Sequence, residues 1–174
     1  MIRALLIVPF IALLAAPVLA QVTKVDMPGV RNFSRVDATV GCGGQVDPAA
    51  MPALRKDGFV SVINLRQASE PGAEVEASRA AAQAAGLKYI HLPFNAAQPD
   101  EKVVERFLAA VADTSNQPVF IHCGSANRVG GVWMIKRALQ DGWPIERART
   151  EAEAIGLRDA KLTAFATEYI NRRR

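Results

Sequence analysis

Cys123 and Arg128 are separated only by Gly124, Ser125, Ala126 and Asn127, within the run Val119-Phe120-Ile121-His122-Cys123-Gly124-Ser125-Ala126-Asn127-Arg128-Val129-Gly130. The residues before the cysteine are β-branched and aromatic, the composition of a buried strand. The thiol therefore falls at a strand's C-terminal end, where open α/β sheets bind ligands. Small side chains after it let successive backbone N–H groups turn inward as an anion-binding nest. A helix opening near Arg128 adds the partial positive charge of its N-terminus. Arg128 itself offers a planar fork that matches two oxygens of a tetrahedral oxyanion. A field that holds an anion also favours a thiolate over a thiol, and a thiolate is a nucleophile. The competing reading is a buried strand-end cysteine with an incidental arginine, since cysteine is among the most buried residue types. Strand, thiol, small-residue loop, arginine and helix coincide, and that coincidence favours nucleophilic chemistry on an oxyanion.

The elements that must position this loop alternate along the chain. Residues 36–41 read as a short edge strand stopped by Gly43-Gly44, and Ala50 to Leu54 as a short helix ending at Asp57-Gly58. Phe59 to Leu65, Lys88 to Pro93 and Pro118 to His122 read as strands. Helical segments are expected at Glu74 to Ala85, at Glu101 to Ala112 with Val103, Val104, Phe107, Leu108 and Val111 on one face, and at Arg128 to Gln140. Two further helices are expected over 144–155 and 159–171. Strands alternating with helices imply βαβ units, hence one α/β domain of three layers: a mostly parallel central sheet with helices on both faces. Arg66 and Glu70 follow the Phe59–Leu65 strand, on the same rim as Cys123 if the sheet is parallel. They either line the site or pair as an ordinary surface salt bridge. Trp133 and Trp143 read as helix-packing residues.

Composition excludes several classes. Half of the 174 residues are hydrophobic and 22% are charged, with 12 Gly and 10 Pro, which rules out a disordered polymer, a collagen and a coiled-coil rod. A net charge of +4 with its only dense basic run at Arg172-Arg173-Arg174 argues against a nucleic-acid binder, and that run reads as a solvated tail. Two Cys and two His are too few for a Cys/His zinc module, and no metal is expected. Residues 1–20, MIRALLIVPFIALLAAPVLA, place one cation ahead of an apolar run that ends in small residues, the order of a secretory signal peptide. The mature chain would be residues 21–174, periplasmic or secreted, with no membrane span and with residues 21–35 as a loosely packed lead-in. Oxidising compartments favour disulfides, so Cys42 and Cys123 would either pair or leave a thiol free for chemistry.

The HCGSANR loop resembles the signature loop of the tyrosine and dual-specificity phosphatase superfamily. More closely, the chain resembles the bacterial phosphatase-like domain of beta-lactamase-hydrolase-like proteins. The likeness extends to Gly43-Gly44-Gln45, to LRKDGFVSVINLRQASE (54–70), to GLKYIHLP (86–93) and to the helix after the loop. It implies a dual-specificity-phosphatase-like fold with no cofactor, and a phosphorylated small molecule or phosphoprotein as partner. Cys123 would be the nucleophile, Arg128 the anion clamp, and Gly124, Ser125, Ala126 and Asn127 the backbone cradle. His122 would buttress the loop by hydrogen bonds. The leaving-group acid would lie after the strand ending in Pro93; position 95 is Asn, so Asp100 becomes the candidate, although it is equally a good N-cap. Asn95 would orient water or substrate, and Arg66 would support the rim. In this fold a further strand is expected between Cys42 and Cys123. The familiar phosphatases have five residues between Cys and Arg, against four here, and many have Ser or Thr where this chain has Val129. Rhodanese-type sulfurtransferases also use a short cysteine loop at a strand end. Persulfide-based sulfur transfer and a catalytically inert oxyanion-binding module therefore stand beside phosphate hydrolysis.

Overall fold

The computed structural model describes residues 22–174. The expected signal peptide at 1–20 lies outside the described residues. Six strands form one sheet: β1 (Thr23–Lys24), β2 (Ser34–Arg35), β3 (Val40–Gly43), β4 (Ser61–Asn64), β5 (Lys88–His91) and β6 (Val119–His122). Their order across the sheet is β1-β2-β3-β6-β4-β5. The pairs β3–β6, β6–β4 and β4–β5 are parallel, and only β1–β2 and β2–β3 are antiparallel. Six α-helices cover the sheet: α1 (Met51–Lys56), α2 (Val75–Ala84), α3 (Glu101–Ala112), α4 (Asn127–Leu139), α5 (Ile145–Ile155) and α6 (Ala160–Asn171). No helix among the described residues is long and apolar enough to cross a membrane.

Strand alternation sorts the core into two layers. Val62 and Phe120 face α1 and α2, where Phe33, Phe59 and Phe120 meet edge to face with ring centroids 5.6 to 6.2 Å apart. Ile63, Val119 and Ile121 face α3 to α6, packing against Phe107, Trp133 and Tyr169. On α3, Val103, Val104, Phe107 and Val111 are buried as the periodicity predicts, and Leu108 packs at their margin. The helix α4 runs between α5 and α6 because Gly130 and Gly131 carry no side chain. A Cβ at Gly130 would stand 2.7 Å from the Ala152 carbonyl oxygen, and one at Gly131 2.8 Å from Leu162.

Four expectations need correction. The segment from residue 22 to 35 is not a loose lead-in: it forms the β1–β2 hairpin, extends the sheet and buries Phe33. The strand expected at 36–41 starts later, at Val40, because Asp37 Oδ1 accepts from the Thr39 N–H (2.8 Å) and turns the chain first. That strand is internal rather than an edge, lying between β2 and β6. No strand separates the two cysteines: β3 pairs directly with β6, Cys42 opposite Ile121, and both thiols are buried and free. Burial pushes the Cys42 thiol well above the ordinary thiol range. The terminal arginines are exposed, as expected, but not an unattached tail, since Arg172 and Arg173 bind Glu101 (2.5 and 2.8 Å) and Arg174 binds the Trp143 carbonyl (2.5 Å).

Candidate active site

Three parallel strands deliver their C-terminal ends to one place. Cys123 follows β6 directly and is 1% exposed, at the floor of the loop that links β6 to α4. Ala126 turns the chain from strand to helix with φ 73°, a left-handed conformation that a residue with a Cβ adopts at a cost of about 1–2 kcal/mol. The loop is tied from outside by its carbonyls. Gly124 O accepts from the Gln45 N–H (3.0 Å) and Ser125 O from Asn32 Nδ2 (3.3 Å). Carbonyls held outward leave the other face of the loop to its N–H groups, which is what an anion nest requires. Gly44 permits this approach: a Cβ there would stand 3.0 Å from Gly124 O and 3.2 Å from Ser125 Cα.

Arg128, on the first turn of α4, reaches across the loop to the segment after β4. Its Nη1 donates to Glu70 Oε1 (2.5 Å), Leu65 O (3.2 Å) and Phe94 O (3.1 Å), and its Nη2 donates to Glu70 Oε2 (2.8 Å). The Nη1–Nη2 side of the guanidinium is thus fully engaged, while Nε and the second Nη2 hydrogen meet no oxygen acceptor among the described residues and lie towards the Cys123 sulfur. Glu70 is held in turn. Its Oε1 accepts from the Gln67 N–H (2.8 Å) and its Oε2 from Arg66 Nε (3.3 Å). The buried Arg66 fixes the segment by donating to Pro71 O and Gly72 O, both at 2.7 Å, and His91 Nε2 donates to the Arg66 carbonyl (2.7 Å). Partial burial works against the Glu70 charge, but the hydrogen bonds from Arg128 and Gln67 overcome it and hold the carboxyl at about 2. Burial likewise disfavours the charge on Arg128, yet Glu70 and the Cys123 sulfur hold its pKa above the ordinary value. Two guanidiniums share one carboxylate, so the cluster keeps one net positive charge beside the thiol.

Arg66 and Glu70 are therefore more than the surface pair that their spacing allows. No local signal in the sequence ties position 70 to position 128; only the sheet does so. Other expected site residues sit differently. Asn127 Oδ1 turns away from the loop and accepts from the N–H groups of Arg158 (2.7 Å) and Asp159 (3.1 Å). Asp100 is exposed and caps α3, its Oδ1 accepting from the Lys102 N–H (2.9 Å), with no hydrogen bond to the cysteine loop. Asn95 Oδ1 accepts from the Ala97 N–H (3.0 Å). His122 does not buttress the loop by hydrogen bonds: neither ring nitrogen meets a partner at bonding geometry, and the ring stacks on Phe120 at 6.1 Å.

Burial drives His122 down to about 4, only partly opposed by the nearby backbone of Cys123 and Gly44. Its ordinary value in the unfolded chain is 6.5, so the unfolded state binds the extra proton first. The stability that His122 contributes is complete above pH 6.5 and drains away as pH falls towards 4. The full difference corresponds to about 3 kcal/mol. Thermal melts from pH 7 to pH 4 should show that loss, and His122→Leu should flatten the profile over this window. An equally steep profile in the variant would refute the assignment.

Searches among known proteins return a consistent class. A putative phosphatase (DUF442) from Shewanella putrefaciens superposes with a TM-score of 0.67 at 22% identity, covering 83% of this chain and 95% of that one. P. aeruginosa TpbA in complex with phosphotyrosine superposes with a TM-score of 0.66 at 21% identity, covering 89% and 91%. The fold is that of the cysteine-dependent tyrosine and dual-specificity phosphatases. Within it, residues 32–140 match the phosphatase-like domain of beta-lactamase hydrolase-like proteins, and the chain belongs to that family. A beta-lactamase hydrolase-like protein of Agrobacterium fabrum is 30% identical over 142 residues, 79% of this chain but 31% of that protein's length. The chain thus spans about a third of the curated relative it matches.

Proposed function

We propose that this chain is an exported, cysteine-dependent phosphoric monoester hydrolase. The observation that carries the reading is the half-engaged guanidinium of Arg128. Glu70 and two backbone carbonyls fix one side of it, which leaves the Nε–Nη2 edge for two oxygens of a phosphoryl group. Cys123 Sγ forms a bond to phosphorus as the ester P–O bond breaks in line, and the inward N–H groups of the loop hold the remaining oxygens. Asp100, whose Oδ2 has no hydrogen bond among the described residues, gives its proton to the leaving oxygen. Water then attacks the phosphocysteine, the S–P bond breaks, and phosphate leaves with the thiolate restored. The complex of TpbA with phosphotyrosine supports a phosphorylated substrate. Export rests on the composition of residues 1–20 alone.

Acid quench during turnover of p-nitrophenyl phosphate, followed by peptide mass analysis, tests the intermediate. A gain of about 80 Da on the Cys123 peptide is the phosphoryl adduct of nucleophilic catalysis. A gain of about 32 Da, as sulfur, would overturn the hydrolase in favour of a persulfide carrier. Absence of both adducts, together with absence of turnover, would leave the oxyanion-binding module.

A further inference from the structure

On its outer side, the exposed Ser125 of the cysteine loop opens into a cavity of about 430 Å³, lined by Asn32, Ser125, Asn127, Gly156, Arg158 and Asp159. The hydrogen-bond inventory of this cavity is lopsided. Its amide oxygens are already used: Asn127 Oδ1 by the backbone of Arg158 and Asp159, and Asn32 Oδ1 by Lys24 Nζ (2.9 Å). Asp159 Oδ1 is likewise taken, capping α6 through the N–H groups of Lys161 and Leu162 (2.8 and 3.1 Å), which leaves Oδ2 as the one carboxylate oxygen of the lining without a hydrogen bond among the described residues. Donors remain. The Ser125 hydroxyl, Asn127 Nδ2, and Nε and Nη2 of Arg158 have no protein acceptor among the described residues, while Arg158 Nη1 is anchored on Glu153 O and Leu157 O (2.5 and 2.7 Å). Lys24 stands behind Asn32, all three of its N–H groups committed to Asn32, Ser34 and Ile155. Neither Lys24 nor Arg158 forms an ion pair with a carboxylate among the described residues.

Arg158 without a carboxylate partner, the Lys24 charge behind Asn32 and a surplus of donors over the single Asp159 oxygen describe a site for an anion. Because the cavity shares Ser125 with the loop, that anion and the reacting phosphoryl group would lie on either side of one residue. We infer that the cavity is a second anion subsite and that Arg158 selects phosphomonoesters carrying a second phosphate close to the first. The inference rests on the proposed hydrolase activity.

Phenyl phosphate and resorcinol bisphosphate test it, with phosphate release as the readout. The ratio of kcat/KM for the bisphosphate over the monophosphate should fall by about tenfold in Arg158→Gln, as expected from the loss of charge-assisted hydrogen bonds at an exposed site. Taking the ratio cancels the difference in leaving group. Lys56→Gln, an exposed cation on α1, should keep the wild-type ratio. A ratio within twofold of wild type in Arg158→Gln would overturn the subsite. Titration calorimetry with inorganic phosphate separates a subsite for the substrate's own second phosphate from one for a free anion. Loss of a second bound equivalent in Arg158→Gln, with the ratio unmoved, would assign the cavity to a separate anion and also overturn the inference. If the wild type hydrolyses neither ester, the hydrolase reading fails by itself. The subsite is then read from resorcinol bisphosphate binding, which should weaken about tenfold in Arg158→Gln by the same loss; equal affinity would overturn it.

Discussion

Cys123→Ser is expected to abolish turnover of p-nitrophenyl phosphate, with a fall on the order of 10⁴-fold or more, the scale of losing a nucleophile. A hydroxyl is a far weaker acid and a poorer nucleophile than a thiol, so a serine at this position cannot take over the attack. Stability should change less. Cys123 is 1% exposed among Ile121, Ala126 and Val129, so a serine there buries a hydroxyl. That costs about 1–3 kcal/mol if it finds no partner. Cys123→Ala avoids the buried hydroxyl and should be equally inactive, which separates lost chemistry from lost folding. Circular dichroism melts alongside steady-state assays make the comparison. Activity within tenfold of wild type in both variants would remove Cys123 from the reaction.

Much of this was legible before any coordinates, because its signals are local. The strand at Val119–His122, the small-residue loop and the helix carrying Arg128 are contiguous, and the alternation of strands and helices is enough to predict a mostly parallel three-layer sheet. What stayed hidden depends on contacts between distant segments. The spacing of Arg66 and Glu70 suits a surface pair, and only parallel β4 and β6, with Asn64 opposite His122, bring Glu70 under Arg128. The hairpin at residues 22–35 looked loose because its strands are two residues each, too short for an alternation signal. Its function in the fold comes from Asn32 and the backbone of Arg31, which bind the cysteine loop and Gly44-Gln45 from outside. The arginines at the C-terminus looked solvated because nothing near them in sequence is acidic except Glu168; their partner Glu101 lies on α3.

The division of labour between Glu70 and Arg128 should separate kinetically. Arg128→Lys keeps a charge but loses the planar fork that grips Glu70 on one side and, in the proposed reaction, would hold two phosphoryl oxygens on the other. Its kcat/KM should fall by about 10²–10³-fold, the scale of removing a preorganised donor to transition-state charge. KM should rise too, because the ground state uses the same edge. Glu70→Gln acts through Arg128 rather than on the substrate. Gln offers one acceptor oxygen where four donors now converge on two, so the guanidinium loses its fixed orientation. At the same time the cluster goes from one net positive charge to two, which strengthens the long-range pull on a phosphate. The two effects oppose each other in binding but not in catalysis. The expected signature is a kcat lowered by about 10–100-fold, since misplacement alone is costly, with KM unchanged or lower. The stability profile supplies a second readout. The Glu70 carboxyl is held at about 2 in the folded chain against an ordinary 4.5, so its contribution is complete above pH 4.5 and is lost as pH falls towards 2. Glu70→Gln should remove that part of the acid dependence. If KM rises in Glu70→Gln as steeply as in Arg128→Lys, Glu70 acts on the substrate directly and the positioning role fails.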